Sequence, residues 1–269
     1  MSNIGHAFKN GVAFIAFVTA GDPSIEKSAE FILELSHSGA DIIEIGVPFS
    51  DPIAEGAVIQ QANIRALKAG ATIERVFGLA ETVRRESTVP LVFLTYLNPV
   101  FHYGYRAFFE RCERAGVDGV IIPDLPFEEH GEVRPIAADC GVDLISLIAP
   151  TSARRIKDIA RAASGFLYIV SSLGVTGVRS EITTDLSALL GAVKAETSLP
   201  AAVGFGIHTP EQAADIVRFA DGVIVGSALV CIIERHGENA APHLAAYVKR
   251  MKSAIADAAS PAKPAERGK

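Results

Sequence analysis

The feature that most constrains the fold of this chain is a joint motif that occurs three times. A glycine, an apolar residue and an aspartate precede an apolar run at Gly39-Ala40-Asp41, Gly116-Val117-Asp118 and Gly141-Val142-Asp143. A glycine in this setting ends a helix in a left-handed conformation, and the aspartate then stands just before a strand. A second joint places a proline before a strand, at Pro90 and Pro200. The joints therefore predict a repeated helix-to-strand unit.

Short apolar runs alternate with amphipathic segments between these joints. The runs are continuous rather than alternating, as in strands that are buried on both faces of a parallel sheet. The predicted strands are 13–19, 42–46, 91–96, 119–123, 144–148, 166–170, 201–204 and 223–225. The predicted helices are 24–38, 72–86, 105–115, 128–140, 153–163, 185–196, 210–219 and 242–255.

Eight strand–helix repeats without a break in composition predict an α/β fold, a single (β/α)8 TIM barrel over residues 1–257. An open, doubly wound sheet is the main alternative. Extra short helices are expected in the loops after strands 2 and 8, the second at residues 228–234. Residues 258–269 are small, polar and interrupted by prolines, so we expect a disordered C-terminal tail.

Composition and charge disfavour several classes of protein. The formal net charge is −6 and no basic cluster is present, which argues against a nucleic-acid or anionic-membrane partner. No apolar segment approaches the roughly 20 residues that span a bilayer, and the first ten residues lack a signal-peptide pattern. Cys112, Cys140 and Cys231 lack the spacing of a zinc site or a disulfide framework. Reduced thiols and a cytoplasmic location are therefore expected.

Three acids follow one another where the second predicted strand ends. Glu44 lies inside an apolar run, where burial would raise its pKa toward the range useful for proton transfer. A carboxylate that backbone donors satisfy is the alternative. Asp51 stands between Ser50 and Pro52 and is expected to shape a turn. Glu55 opens a predicted helix that ends near Gly70, and an acid at a helix start ordinarily complements the helix dipole.

Glycine-rich turns at the ends of late strands indicate a phosphate site. Gly204-Phe205-Gly206 and Gly226-Ser227-Ala228 each lead into a helix. Glycine lets backbone N–H groups approach an anion, and the loops after strands 7 and 8 form the common phosphate site of TIM barrels. Tight turns without a ligand are the alternative. The longer loop at residues 174–179 is expected to be a lid, or else a plain surface loop.

Other chemistries find no support in the placement of residues. No lysine lies at the C-terminal end of a predicted strand, which disfavours Schiff-base chemistry. The seven histidines are scattered without metal-ligand spacing, and no Gly-x-Ser-x-Gly motif occurs. Carboxylate acid–base chemistry on a phosphorylated small molecule remains.

Several motifs together resemble the signature of the tryptophan synthase alpha chain. They run in that family's order to about Met251: Phe17-Val18-Thr19-Ala20-Gly21-Asp22-Pro23, Glu44-Ile45-Gly46-Val47-Pro48-Phe49-Ser50-Asp51-Pro52, Tyr96-Leu97-Asn98-Pro99, Asp124-Leu125-Pro126, Gly174-Val175-Thr176-Gly177, Gly204-Phe205-Gly206-Ile207 and Gly226-Ser227-Ala228. The resemblance implies a lyase that cleaves indole-3-glycerol phosphate to indole and D-glyceraldehyde 3-phosphate in tryptophan biosynthesis (EC 4.2.1.20). It implies no cofactor in this chain. Pyridoxal phosphate is expected only in a partner beta chain, within an alpha2beta2 tetramer.

The resemblance also implies roles for individual residues. Glu44 matches the catalytic glutamate, which protonates indole C3 and helps to remove the hydroxyl proton. Glu55 stands at the second catalytic carboxylate, which accepts the indole N–H proton. The matching substrate-binding positions are Phe17, Tyr96, Ile121 and Phe205 in the indole pocket, Tyr168 near the active site, Thr176 in the lid, and Gly177, Gly206, Gly226 and Ser227 at the phosphate.

One departure from the family pattern keeps other functions open. The family usually has Asp-Gly-Pro where this chain has Glu55-Gly56-Ala57, and one extra methylene shifts the carboxylate. The alternatives are a diverged stand-alone lyase that releases indole, a weakly catalytic regulatory partner of a beta chain, and a different phosphosugar barrel enzyme such as an epimerase. Residues 98–105, which are aromatic and contain a proline, are the candidate docking surface, with ordinary loop packing as the alternative.

Overall fold

Eight parallel strands close into a barrel in the computed structural model, which describes residues 2–170, 186–204 and 206–259. The strands are β1 Ala13–Thr19, β2 Ile42–Gly46, β3 Leu91–Leu94, β4 Gly119–Ile121, β5 Asp143–Ile148, β6 Leu167–Val170, β7 Ala201–Gly204 and β8 Gly222–Val225. The barrel closes because β1 pairs with both β2 and β8. The predicted TIM barrel is confirmed, and the open sheet is wrong.

Helices surround the barrel and occupy its two ends. They are α1 Ile4–Ala7, α2 Ile25–His37, α3 Ala57–Lys68, α4 Ile73–Arg84, α5 Leu97–Tyr103, α6 Tyr105–Ala115, α7 His130–Asp139, α8 Ile156–Ala162, α9 Leu186–Lys194, α10 Pro210–Ile216, α11 Ser227–His236 and α12 Ala241–Ala259. The extra helices expected after β2 and β8 are α3 and α11. Two further helices were not predicted: α1, and α5 after β3.

Three predicted boundaries need correction. β3 ends at Leu94 and β4 at Ile121, because Tyr96 already forms the N-cap of α5 and the chain turns soon after β4. The predicted docking segment 98–105 is therefore mostly helical. α12 continues through Ala259, two residues past the predicted domain boundary, because alanine favours the helix. Residues 260–269 lie outside the described part of the chain.

The aspartates of the repeated joints lie at the end of the barrel away from the strands' C-termini. Asp41 accepts hydrogen bonds from the Phe14 amide at 2.7 Å and from Lys252 at 2.5 Å. Asp118 accepts from the amides of Asn3 and Leu91 at 2.9 and 3.0 Å. These carboxylates tie neighbouring elements together, so their role is structural.

The barrel interior is filled by side chains on alternate strand residues, and this alternation decides which residues reach the site. Phe17 is paired in register with Glu44, which is in turn paired with Val92 on β3. The main interior cluster consists of Ile4, Ile15, Ile42, Val92, Ile121, Ile145, Phe166, Tyr168, Ala202 and Ile224. Ile4 belongs to α1, so this short helix packs against the N-terminal ends of the strands.

Candidate active site

Glu44 is the third residue of β2, and its side chain is 2% exposed. Its Oε2 atom has no hydrogen-bond partner within the described residues. The alternative, a carboxylate that backbone donors satisfy, is therefore wrong for this oxygen atom. Burial, together with the nearby charge of Glu55, raises the pKa of Glu44 to about 8. The group holds a proton near neutral pH.

The backbone around Glu55 is held from two directions. The amide of Ala54 donates to the hydroxyl of Tyr96 at 3.0 Å. On the other side, the side-chain amide of Gln60 donates to the Glu55 carbonyl at 2.8 Å. Gly56 then serves as the N-cap residue of α3. Because these contacts come from separate elements, they give the acidic loop one conformation at this point.

The side chain of Glu55 is buried, with 5% exposed. Asn63 on α3 donates from Nδ2 to Glu55 Oε2 at 2.5 Å. Burial raises the pKa of Glu55 to about 7, and hydrogen bonds from Asn63 and Tyr96 oppose that rise. Complementation of the helix dipole alone would leave this carboxylate in solvent, so its burial indicates a role beyond the helix dipole.

Two inward-facing glycines make room for aromatic rings. A Cβ atom at Gly46 would lie 2.7 Å from Cζ of Phe17, and one at Gly204 would lie 2.5 Å from the Tyr168 hydroxyl. Phe17 also packs beneath Ile59 and Ala62 of α3 and Val230 of α11. Burial raises the pKa of Tyr168 well above its usual value, and the charge of Glu44 adds to this. Tyr168 and Glu44 are thus close neighbours in the barrel.

Tyr96 links the pocket to the loop that carries Glu55. It is 1% exposed, and its ring stacks on Phe49 with centroids 5.1 Å apart. Burial, with the charge of Glu55, raises the pKa of its hydroxyl well above the usual range, so the hydroxyl keeps its proton. Ile121 belongs to the apolar cluster of the barrel interior.

The N-terminus of α11 is the better candidate for an anion site at the late strands. Gly226 precedes it and makes no side-chain cap hydrogen bond, and Ser227 is its first residue. In contrast, α10 is already capped by Thr209 and Gln212. Gly206 follows β7 with φ of 97°. Three other predicted site residues, Thr176, Gly177 and Phe205, lie outside the described residues.

Sequence reasoning missed Asn63 and Arg65. Asn63 shares the buried face of α3 with Ile59, Ala62 and Ala66, so an amide within an apolar stripe was the signal for it. Arg65 binds both carboxylate oxygens of Asp22 at 2.9 and 2.8 Å, and Glu234 at 2.8 Å. These ion pairs connect α3 to the loop after β1 and to α11.

A closed (β/α)8 barrel with two buried carboxyl groups at its catalytic end defines a TIM-barrel enzyme of the acid–base type. The family model for the tryptophan synthase alpha chain matches residues 6–259. The chain therefore belongs to the tryptophan synthase alpha chain family. That family consists of lyases of tryptophan biosynthesis, and its known role is the cleavage of indole-3-glycerol phosphate.

Similar proteins agree along almost the whole length. The tryptophan synthase alpha chain of Lacticaseibacillus casei is 48% identical over 255 residues, with 95% of this chain and 96% of that protein covered. That of Lactiplantibacillus plantarum is 50% identical over 256 residues, with 95% and 97% covered. A structure of the tryptophan synthase a2b2 complex from Pyrococcus furiosus superposes with a TM-score of 0.85 at 38% identity, covering 90% and 98%. Mycobacterium tuberculosis tryptophan synthase gives 0.87 at 35%, covering 94% and 98%.

Two features are absent from the part of the chain that the structure describes. None of the described helices combines the length and apolar character needed to cross a membrane. Within the same residues, no three His, Cys, Asp or Glu side chains are grouped so that they could hold a metal ion.

Proposed function

We propose that this chain cleaves indole-3-glycerol phosphate with Glu44 and Glu55 as its two proton-transferring groups. One observation carries the proposal: both carboxyl groups are buried at the barrel mouth, with pKa values of about 8 and about 7. Between these values, Glu44 keeps its proton while Glu55 is largely ionised. An acid and a base are therefore available together near neutral pH.

The proposed sequence of proton transfers balances. Glu44 gives its proton to indole C3 while the Glu55 carboxylate takes the proton from the indole nitrogen. Ionised Glu44 then takes the proton of the side-chain hydroxyl, and the bond between indole C3 and the hydroxyl-bearing carbon breaks. The aldehyde leaves, the bonding electrons return to the ring, and Glu55 returns the proton to nitrogen. Both carboxyl groups end in their starting states, so the chain needs no cofactor for this reaction.

The substrate's two ends have separate binding regions in this proposal. The indole lies in the apolar pocket of Phe17, Tyr96 and Ile121, with Phe205 assigned to the same pocket and Tyr168 beside Glu44. The phosphate binds at the uncapped N-terminus of α11, where the positive end of the helix dipole favours an anion. Gly206, Gly226 and Ser227 contact it there, and the resemblance gives Gly177 as a further phosphate contact and Thr176 as a lid residue.

We further propose that the chain works with a pyridoxal-phosphate beta chain in an alpha2beta2 tetramer. The support is that similar structures include tryptophan synthase a2b2 complexes. Ile53 and Phe101 are large apolar side chains that are 72% and 69% exposed, and we assign both to the surface that binds the beta chain. Ile53 lies two residues before Glu55, and Phe101 lies on α5, which Tyr96 caps. A partner on this surface would contact the elements that hold the second carboxylate.

A second candidate is a weakly catalytic or stand-alone member of the same family. The observation that favours it is Glu55, because the family pattern has the shorter aspartate at that position. A cytoplasmic location also stays a prediction. Its support is that the three cysteines are free.

Steady-state release of indole by the purified chain tests the proposal. We expect turnover by the chain alone and acceleration by a tryptophan synthase beta chain. Glu44→Gln and Glu55→Gln should each lower kcat by about 10²-fold or more, because each removes one proton-transferring group. Fast turnover that ignores the beta chain would indicate a stand-alone lyase. Undiminished turnover in Glu44→Gln would exclude the mechanism.

A further inference from the structure

We propose that Asn63 is a positioning residue that fits this active site to glutamate at position 55, by holding the longer side chain back along α3. The inference rests on the catalytic role proposed above for Glu55. It adds a residue that, together with the Tyr96 hydroxyl, determines where the Glu55 carboxylate points.

The position of the Glu55 carboxylate depends on the length of its side chain, because the backbone of the loop is held in place. The Tyr96 hydroxyl holds the amide of Ala54, and the Gln60 side chain holds the carbonyl of Glu55. With the backbone held on both sides, the loop cannot shift to compensate for a longer or shorter acid. An additional methylene has to be accommodated by the direction of the side chain.

The extra methylene of glutamate brings its carboxylate within hydrogen-bond distance of Asn63. Asn63 lies eight residues after Glu55, about two turns into α3, and its Nδ2 atom is 2.5 Å from Glu55 Oε2. The two residues are 3% and 5% exposed. An aspartate on the same backbone is shorter by one carbon–carbon bond, about 1.5 Å, which leaves up to roughly 4 Å to the amide when the side chain points the same way. That distance is too long for a hydrogen bond.

Packing alone does not explain why an amide stands at position 63. Its buried neighbours on α3 are Ile59, Ala62 and Ala66, which form an apolar stripe. A buried amide without a partner costs about 1–3 kcal/mol, so a residue that served packing alone would be apolar here. A neutral donor also suits the site. It favours the ionised form of Glu55 against the effect of burial, whereas a full positive charge would make the carboxylate a weak base.

The test combines substitutions at both positions. Asn63→Ala and Asn63→Leu both remove the donor, and the second keeps the volume, so that a packing defect in one can be recognised from the other. Each is made in the native chain and in Glu55→Asp. Gln61→Ala removes an exposed amide from the same helix and serves as the matched control. Indole release is measured across pH, and the side-chain carboxyl of Glu55 is titrated by ¹³C NMR in the ligand-free protein.

When Glu55 is present, both Asn63 variants should shift the low-pH limb of the plot of kcat against pH to a higher pH, by about one unit. They should lower kcat about tenfold below that limb, with the loss shrinking as pH rises and KM changing by less than about twofold. The NMR titration of Glu55 should move in the same direction. In the Glu55→Asp chain, the same substitutions should change kcat by less than about twofold, because the contact is already lost.

Two results would overturn the inference: an unmoved Glu55 titration in both Asn63 variants, or an equal loss of kcat with and without Glu55→Asp. A lowered melting temperature alone would show a structural role instead. If the native chain releases no indole, the proposed function fails, yet the NMR titration still reports on Asn63 and Glu55. The two proposals can thus be judged separately.

Discussion

Glu44 and Glu55 are buried near one another at the mouth of the barrel, and the charge of Glu55 raises the pKa of Glu44. One residue comes from the interior of β2, and the other from the loop that leads into α3. Burial raises the pKa of Glu44 and the charge of Glu55 raises it further, so the protonation states of the two groups are interdependent. This interdependence should have a measurable effect on stability.

Stability should fall with rising pH because of Glu44. The folded chain holds this proton up to a pKa of about 8, whereas an exposed carboxyl of ordinary pKa 4.5 in the unfolded chain loses it much earlier. The free energy of unfolding contributed by Glu44 therefore decreases between these pH values. Glu44→Gln should match the native chain at pH 4–5 and exceed it by about 5 kcal/mol at pH 9.

Urea unfolding at several pH values measures this difference. Glu132→Gln, at an exposed carboxyl on α7, is the control and should show no comparable pH-dependent gain. An equal gain for Glu44→Gln at all pH values would contradict the assignment of a buried, protonated carboxyl.

Gly46 should tolerate no side chain because of Phe17. A Cβ atom there would lie 2.7 Å from the ring, so Gly46→Ala has to displace the ring from the pocket. We expect a loss of about 1–3 kcal/mol in unfolding free energy and a loss of about tenfold or more in kcat/KM. Thermal unfolding and steady-state kinetics measure the two effects.

Gly78→Ala on α4 is the matched control, because nothing lies within 4 Å of a Cβ atom at that position. It should be neutral or stabilising, since alanine favours a helix. In the double variant Phe17→Leu, Gly46→Ala, the smaller leucine leaves room for the new Cβ atom. This variant should recover stability but not activity. Full activity in Gly46→Ala would show that Phe17 does not need its present position.

An acid at the start of α11 should have opposite effects on stability and on phosphate binding. Ser227→Asp complements the helix dipole and should stabilise the protein by about 0.3–1 kcal/mol in phosphate-free buffer. The same charge repels an anion, so inorganic phosphate should no longer raise the melting temperature, and KM for the substrate should rise about tenfold or more. Ser227→Ala, without the charge, should show a much smaller change in KM. Phosphate stabilisation that survives in Ser227→Asp would place the anion elsewhere.

Exposed apolar side chains beside the active site should mediate beta-chain binding. Ile53→Ser and Phe101→Ser should each weaken the affinity for a tryptophan synthase beta chain by about tenfold, measured by calorimetric titration. Ile64→Ser is the control, because Ile64 is also a large apolar side chain, 41% exposed on α3. Equal effects of all three substitutions would point to a general loss of structure instead.

The overall architecture could be predicted from local patterns. The glycines of the three joints have positive φ angles of 106°, 73° and 67°, as their sequence context indicated. Continuous apolar runs identified all eight strands, because strands covered on both faces cannot alternate polar and apolar residues. The predicted ends of β3 and β4 were wrong and the helix α5 was missed, because the mostly apolar run of β3 continues to Tyr96 and Leu97 and does not show where the strand ends.

The candidate site was predicted only in part. Glu44 was recognisable because a carboxylate inside an apolar run is costly to bury and contributes nothing to apolar packing, and its high pKa follows from burial. Asn63 was missed because its partner is eight residues away, and only the hydrogen bond shows that the pair meets. Gly46 and Gly204 likewise carry no signal for the rings that fill their space.

The sequence by itself determined the repeat, the barrel, the catalytic end and the family to which the chain belongs, because these depend on periodicity, joints and ordered motifs. Only the tertiary structure decided how Glu55 fits where the family pattern has aspartate. That outcome depends on Tyr96, Gln60 and Asn63 converging on one loop from β3–α5 and α3. Burial and hydrogen bonding set the charge of a carboxyl group, and both are properties of the folded neighbourhood.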